Sequence, residues 1–474
     1  MNFRAFRRIA VIVLGALALT HCARNPVGPD GGAAQKAGRQ EGGPGAQANR
    51  ELLKAYAVLD APVLQGYVNE VGQRLAQQTG RGDLTWRFTV VDSPEVDAFS
   101  LPGGYVYVTR GLLAYLNTEA ELASVLCHEM GHVAARHGLR QPAPPAAAAL
   151  GSVLSPDGGG ESDVLRMLAQ ARAGGYGGDA EREADRLGAG YLVRAHYAPR
   201  ALADARAALR NQALAAAAQA QGGGGPVQAY HAAFLPVAGE AVAAAERAGT
   251  PDGTPPRSGR DDYLHKTEGL VFGDSPAQGV IRNNALLHDK LGLAMQFPPG
   301  WQVKNWPERA FALSPQGDAV VELEQGPQSD DPMATLRQGV RLDAGARYDS
   351  GRLGGYAAAF AAGHQQGRPV VVAVVVMGRV QYLIAGMTRD ADAYERERSA
   401  LRAAINSFHA ITPAERLAAR PHILRLVAAR PGVTMTAMAQ QSPLGADAET
   451  QLRLINALYP AGEPVPGQLL KIVE

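Results

Sequence analysis

Hydrophobic residues fall into three kinds of pattern along this chain, and each predicts a different element. An unbroken apolar run, Ile9–Leu19, follows Arg4, Arg7 and Arg8. It is apolar on every face and too short to span a bilayer, the pattern of a secretory signal. Alternating apolar and polar positions mark 84–93 (LTWRFTVVDS) and 103–110 (GGYVYVTR) as strands. Recurrence every three or four positions marks helices: one from about Glu51 through 63–78, two within 111–138, and one over 180–195. Asn117 or Thr118 caps the second helix of 111–138, with Glu121 three residues beyond Thr118 in a capping-box spacing. Alanine-rich helices continue to about Arg247.

Breaks in this patterning predict the domains. Residues 1–22 are the signal, and 23–49, rich in Gly, Pro and Ala without periodicity, are expected to be a disordered linker. Residues 50–262 carry the helical domain and its small sheet. Within them 141–178 is expected to be a mobile excursion around a short helix, 163–172. From Tyr263 the pattern turns strand-like (291–301, 319–325, 369–388) and closes with a helix at 392–408, so 263–412 read as a separate α+β domain. The remaining 413–474 have a strand–helix–helix–strand rhythm and are expected to form a small βααβ module of their own. The fold class is α+β and multidomain.

Charge and cysteine content exclude some functions. With 46 basic and 45 acidic residues the formal net charge is +1, which leaves no footprint for nucleic acid or for an acidic partner. Of the 2 cysteines, Cys127 falls inside a predicted helix as a small buried hydrophobe, so no disulfide framework is expected. The other, Cys22, comes just after the apolar run, beyond Thr20 and His21, where lipid attachment and ordinary cleavage are both open.

The candidate chemistry lies in 125–137, VLCHEMGHVAARH. His128 and His132 are four residues apart, so a helix presents both imidazoles on one face, within reach of one zinc ion. Glu129 then sits beside the ion, placed to take a proton from water. Chance alone produces such a motif in a chain of this length about one time in a hundred, and burying two histidines without a metal leaves donors and acceptors to satisfy. A third ligand is expected from 179–188, DAEREADRLG, where Glu181 and Asp185 share a helix face and Glu183 points elsewhere. Spacing alone does not rank Glu181 over Glu183.

HEMGH followed by EREAD resembles the gluzincin metallopeptidases that include the CAAX prenyl proteases and HtpX. The stretch DAFSLPGGYVYVTRGLLAYLNTEAELASVLCHEMGHVAARH is similar to their BepA-like periplasmic branch. The likeness covers about residues 51–200. It implies a mainly helical zincin-type domain with a small edge sheet, and one Zn2+ per chain held by His128, His132 and Glu181. It makes Glu129 the catalytic base and Asp185 the acid that hydrogen-bonds a ligand imidazole. It also implies that Gly104, Tyr105 and Val106 line the cleft and add a substrate strand by backbone hydrogen bonds; a plain turn before a core strand is the competing reading of Gly103-Gly104.

The chain departs from the family pattern at Asp97, at Gly177-Gly178, and at Leu235-Pro236, which stand where relatives carry a His-Pro element. His231 is read as an exposed helical histidine, and His137 and His196 as non-ligands. The tail resembles a degenerate LysM module, with Pro431–Thr434 in place of Gly-Asp-Thr, which implies peptidoglycan as a partner. Three functions follow: a zinc endopeptidase acting on extended or misfolded envelope polypeptides, a chaperone or assembly factor with restrained peptidase activity, and a peptidoglycan-associated protein. The expected location is the periplasm, with a tether to the outer membrane if Cys22 is lipidated.

Overall fold

The computed structural model describes residues 43, 45–53, 56–140, 176–220, 238–250, 252–306 and 309–474. The signal and Cys22, the first part of the linker, nearly all of the 141–178 excursion, His231 and Leu235-Pro236 lie outside them. The chain divides into two compact units. One is centred on Asp274–Pro421; the other gathers the described residues up to Ala215, those from 238 to Gly273, and His422–Glu474.

The second unit opens with a helical segment, 45–53, followed by α1 (Pro62–Ala76), which starts on proline and buries Leu64, Val68, Val71 and Leu75 along one stripe. Strands β1 (Arg87–Val91), β2 (Ala98–Leu101) and β3 (Tyr105–Thr109) form a sheet in the order β1-β3-β2, with β1 parallel and β2 antiparallel to β3. There follow α2 (Arg110–Tyr115), α3 (Glu119–Ala134), α4 (His137–Arg140), α5 (Gly178–Arg194), α6 (Arg200–Ala220), α7 (Ala238–Ala248), α8 (Arg260–Thr267) and β4 (Val271–Phe272). Thr118 is the N-cap of α3, its hydroxyl accepting from Glu121 N at 3.0 Å, while the Glu121 carboxylate accepts from Asn117 N at 2.6 Å. Every residue of α3 from Ala120 to Val133 is buried. A helix covered on all sides needs no amphipathic stripe, which is why polar ligands can sit in its middle.

Three expectations are corrected here. The linker expected over 23–49 ends earlier than that: 45–53 is helical, and Ala48 and Leu52 pack with Tyr56 against Phe99, Leu101 and Tyr107 of the sheet. Small residues hide this face from a periodicity argument. Second, Gly104, Tyr105 and Val106 do not form a sheet edge. β3 is the central strand, paired to β1 and β2 along its length, so its backbone groups are already used. Gly103 and Gly104, at φ 92° and 91°, make the turn from β2 into β3, and a Cβ on Gly104 would come within 2.9 Å of Thr85 O.

The third correction concerns the tail. Its elements follow the expected order: β16 (His422–Ala428), α12 (Met435–Ala439), α13 (Ala448–Ile455) and β17 (Leu469–Val473), with β16 and β17 antiparallel. They do not stand alone. β16 also pairs with β4, and Leu424, Leu452, Ile455 and Val473 join the same hydrophobic core as α1 and α3. Residues 263–273 likewise belong to this unit, with the buried Tyr263 hydroxyl donating to Leu113 O at 2.7 Å. The α+β unit is therefore an insertion between β4 and β16, spanning Asp274–Pro421 rather than 263–412.

The inserted unit holds two sheets. One contains β5 (Val280–Arg282), β6 (Ala285–His288), β7 (Leu293–Gln296) and, at its end, β15 (His409–Ala410). The other runs β11-β12-β13-β14-β10-β9-β8, built from β8 (Gln302–Trp306), β9 (Arg309–Leu313), β10 (Ala319–Gln328), β11 (Arg347–Leu353), β12 (Tyr356–Gln365), β13 (Arg368–Met377) and β14 (Val380–Thr388). Helix α10 (Ala391–Asn406) packs with Val371, Ala373 and Val375, and α9 (Pro332–Gly339) with Val370, Val372 and Val374. Both faces of β13 are covered, which explains an apolar run in place of alternation. The short α11 (Pro413–Ala418) ends the unit.

The tail also reaches the segment that precedes the metal-site helix. Lys471 is 1% exposed, and its Nζ donates to Ala114 O and Leu116 O at 2.6 and 2.7 Å, satisfying carbonyls at the end of α2. Burial pushes this amine down to about 7, against about 10.4 for an ordinary lysine. Between those values the unfolded chain binds more protons than the folded one, so the lysine's contribution to stability rises with pH. The melting temperature of the native chain should therefore gain on that of Lys471→Met as pH rises from about 7 to about 10. A pH-independent difference would contradict a buried, depressed amine.

Candidate metal centre

Two helices meet at backbone contact to make the site. A Cβ on Gly131 of α3 would lie 2.7 Å from Ala184 O of α5, and one on Gly188 of α5 would lie 3.1 Å from the Cys127 carbonyl carbon of α3. Only glycine permits this approach. It carries the His128–His132 face of α3 onto the Glu181–Asp185 face of α5.

There His128 Nε2 lies 3.0 Å from His132 Nε2, and Glu181 Oε2 lies 3.2 and 3.5 Å from those two nitrogens. His128, His132 and Glu181 offer ligand atoms all within 4.8 Å of one another, and all three residues are buried. Glu181 faces these two imidazoles, whereas Glu183 lies against His137. Asp185 Oδ1 sits 2.9 Å from His128 Nδ1, the position expected for an acid holding a ligand imidazole. Arg206 of α6, unforeseen from the sequence, donates to the same carboxylate oxygen and lies 3.2 Å from His128 Nδ1.

The donor set fits a divalent cation. With Nδ1–H of His128 directed at Asp185, its Nε2 presents a lone pair, and it does so toward the Nε2 of His132. Two facing lone pairs at 3.0 Å repel unless a proton or a metal lies between them. Burial lowers the basicity of His128, but hydrogen bonds to Asp185 and Glu181 override it and push the ring up to about 9. Burial, with the neighbouring His128, pushes His132 down to about 4. A metal between the two nitrogens would compete with a proton for the same position. Two neutral imidazoles and one carboxylate are the ligand types of a catalytic zinc.

Glu129 is 2% exposed and accepts from Ser100 Oγ at 3.0 Å. Ser100 lies on β2, so the strand next to the site orients the carboxylate. Tyr176 closes another side, its ring centroid 4.5 Å from that of His132 and its backbone N donating to Glu181 Oε1 at 3.3 Å. A small cleft beside the cluster is lined by Ser100, Leu101, Pro102, His132 and Tyr176. Ser100 could have been singled out from its place in DAFSLPGG; Arg206, one of three arginines in an alanine-rich helix, carried no signal. Cys127 is fully buried, its thiol pushed well up by desolvation, as a core residue would be.

The profile of peptidase family M48 matches residues 62–233. That match spans α1 to α6 and every ligand candidate. The chain is similar to the beta-barrel assembly-enhancing proteases of Escherichia coli (strain K12) and of Yersinia pestis, each 32% identical over 166 residues, 32% of this chain and 34% of the relative. It is also similar to the mitochondrial metalloendopeptidase OMA1 of Schizosaccharomyces pombe, 44% identical over 71 residues, 15% of this chain and 21% of that protein. The chain thus spans about a third of the bacterial relatives' length. No helix among the described residues is long and apolar enough to cross a membrane.

Two measurements check the site. Gly131→Ala should force α3 and α5 apart, lowering stability by about 1–3 kcal/mol and reducing bound metal; unchanged metal content would mean that the close crossing is dispensable. Glu181→Ala should cost more zinc affinity than the roughly 10–100-fold typical of residues behind a ligand, read by chelator competition.

Proposed function

We propose that this chain is a zinc endopeptidase of the cell envelope that hydrolyses extended or misfolded polypeptides. The observation that carries the reading is the buried His128–His132–Glu181 cluster with Glu129 beside it, oriented by Ser100. His128, His132 and Glu181 would hold the zinc, which would supply Lewis acidity toward a scissile carbonyl and lower the pKa of water. Glu129 accepts the proton of the attacking water and returns it to the leaving amine. Asp185 and Arg206 hold His128, so that its Nε2 stays directed into the site. Burial of the whole cluster strengthens each of these interactions by excluding bulk solvent.

Substrate is taken along β2 rather than β3. The outer edge of β2 pairs with no described strand, and β2 carries Ser100 to the catalytic carboxylate. An extended segment added there by main-chain hydrogen bonds would run past Glu129. The bacterial relatives are named for enhancing beta-barrel assembly, which favours envelope proteins as substrates. The arginines and apolar run of residues 1–22 favour export to the periplasm, with Cys22 as a lipid-attachment point to the outer membrane. We read the βααβ tail, despite its LysM-like order, as part of the peptidase unit's core rather than as a peptidoglycan-binding module.

The decisive experiment is Glu129→Gln. Zinc should remain bound at one ion per chain while cleavage of an unfolded protein substrate falls by about 10²–10⁴-fold. Undiminished cleavage in a preparation free of other proteases would remove Glu129 as the base.

A further inference from the structure

His132 and its partner ligand are held differently. Behind His128 stands a carboxylate, Asp185; behind His132 stands another histidine. His132 Nδ1 lies 2.9 Å from His137 Nδ1, and His137 Nε2 lies 3.1 Å from Glu183 Oε2. His137 is 2% exposed, set at the start of the short α4, and packs edge-on against the His132 ring with centroids 5.0 Å apart. Glu183 reaches it from α5 with its side chain 41% exposed.

Proton bookkeeping along this row has one neutral solution. An ionised Glu183 can only accept, so His137 Nε2 carries the hydrogen and its Nδ1 presents a lone pair. That lone pair can only accept, so His132 Nδ1 carries the hydrogen and its Nε2 is bare toward His128 and Glu181. A carboxylate at the protein surface thereby selects the tautomer of a ligand two imidazoles away.

We propose that His137 and Glu183 form a relay that positions His132, fixing its tautomer and ring orientation so that Nε2 is the metal-binding atom. Neither is a ligand and neither touches substrate. The relay also gives separate tasks to the three acids of 181–185: Glu181 binds, Asp185 holds His128, and Glu183 holds His132 through His137. The α5 helix thus serves both imidazoles of α3 from one and a half turns.

This inference rests on the metal-site reading above, and the test keeps the two apart. Zinc affinity is measured by competition with a chromophoric chelator on the full chain, and the visible spectrum of the Co2+-loaded protein reports ligand geometry. Native protein and Glu129→Gln should bind alike. His137→Phe fills the space without an acceptor and should lose about 10–100-fold in zinc affinity with an altered Co2+ spectrum. His137→Asn, whose carbonyl can still accept from His132, should recover most of the affinity and the native spectrum. Glu183→Ala should weaken binding in the same direction, and Glu183→Gln, which keeps an acceptor, should restore it. Because Glu183 is partly exposed, its variants stay folded even if His137→Phe does not. Native affinity and spectrum in both His137→Phe and Glu183→Ala would overturn the relay while leaving the metal site standing. Failure of the native chain to bind one zinc would overturn both.

Discussion

The close crossing of α3 and α5 is the constraint on which the rest of the structure depends. Gly131 against Ala184 and Gly188 against Cys127 put two backbones in contact, with no side chain between them. Imidazole and carboxylate side chains reach only a short way from the backbone, so this close approach brings donors on the two helices within reach of one ion. The same contact buries the cluster, because there is no room for solvent between the helices. The buried charges lie against one another there: Asp185 meets His128 and Arg206, Glu181 faces both imidazoles, and Glu129 accepts from Ser100.

The polar row through the domain has a direction. From the exposed side of α5, Glu183 leads through His137 to His132; from α6, Arg206 leads through Asp185 to His128. Each of the two rings therefore has its Nδ1 engaged and its Nε2 turned inward. Pre-setting both tautomers removes a rearrangement that metal binding would otherwise require.

Around this centre the chain closes on itself late. The unit that carries the cluster is completed only when β16 pairs with β4 and Lys471 reaches the end of α2, after the whole of Asp274–Pro421 has been inserted. The turn between α2 and α3 is thus held by residues some 350 positions apart, Lys471 against Ala114 and Leu116. Long insertions of this kind are tolerated because loop-closure entropy grows only slowly with length.

Much of this was legible in the sequence because it is local. Spacing put His128 and His132 on one helix face, Thr118 and Glu121 marked the start of that helix, and alternation found β1 and β3. The order of elements in the tail was readable for the same reason. What spacing could not reach was anything set by contact between distant segments. The choice of Glu181 over Glu183, the central place of β3, the packing of 45–53, and the return of the tail all depend on which surfaces meet. Periodicity reports the face an element turns to the interior, but not the partner it finds there. The sequence by itself determined the chemical inventory and the helices that carry it. Only the tertiary structure, through two glycines that let helix backbones touch, decided which atoms converge.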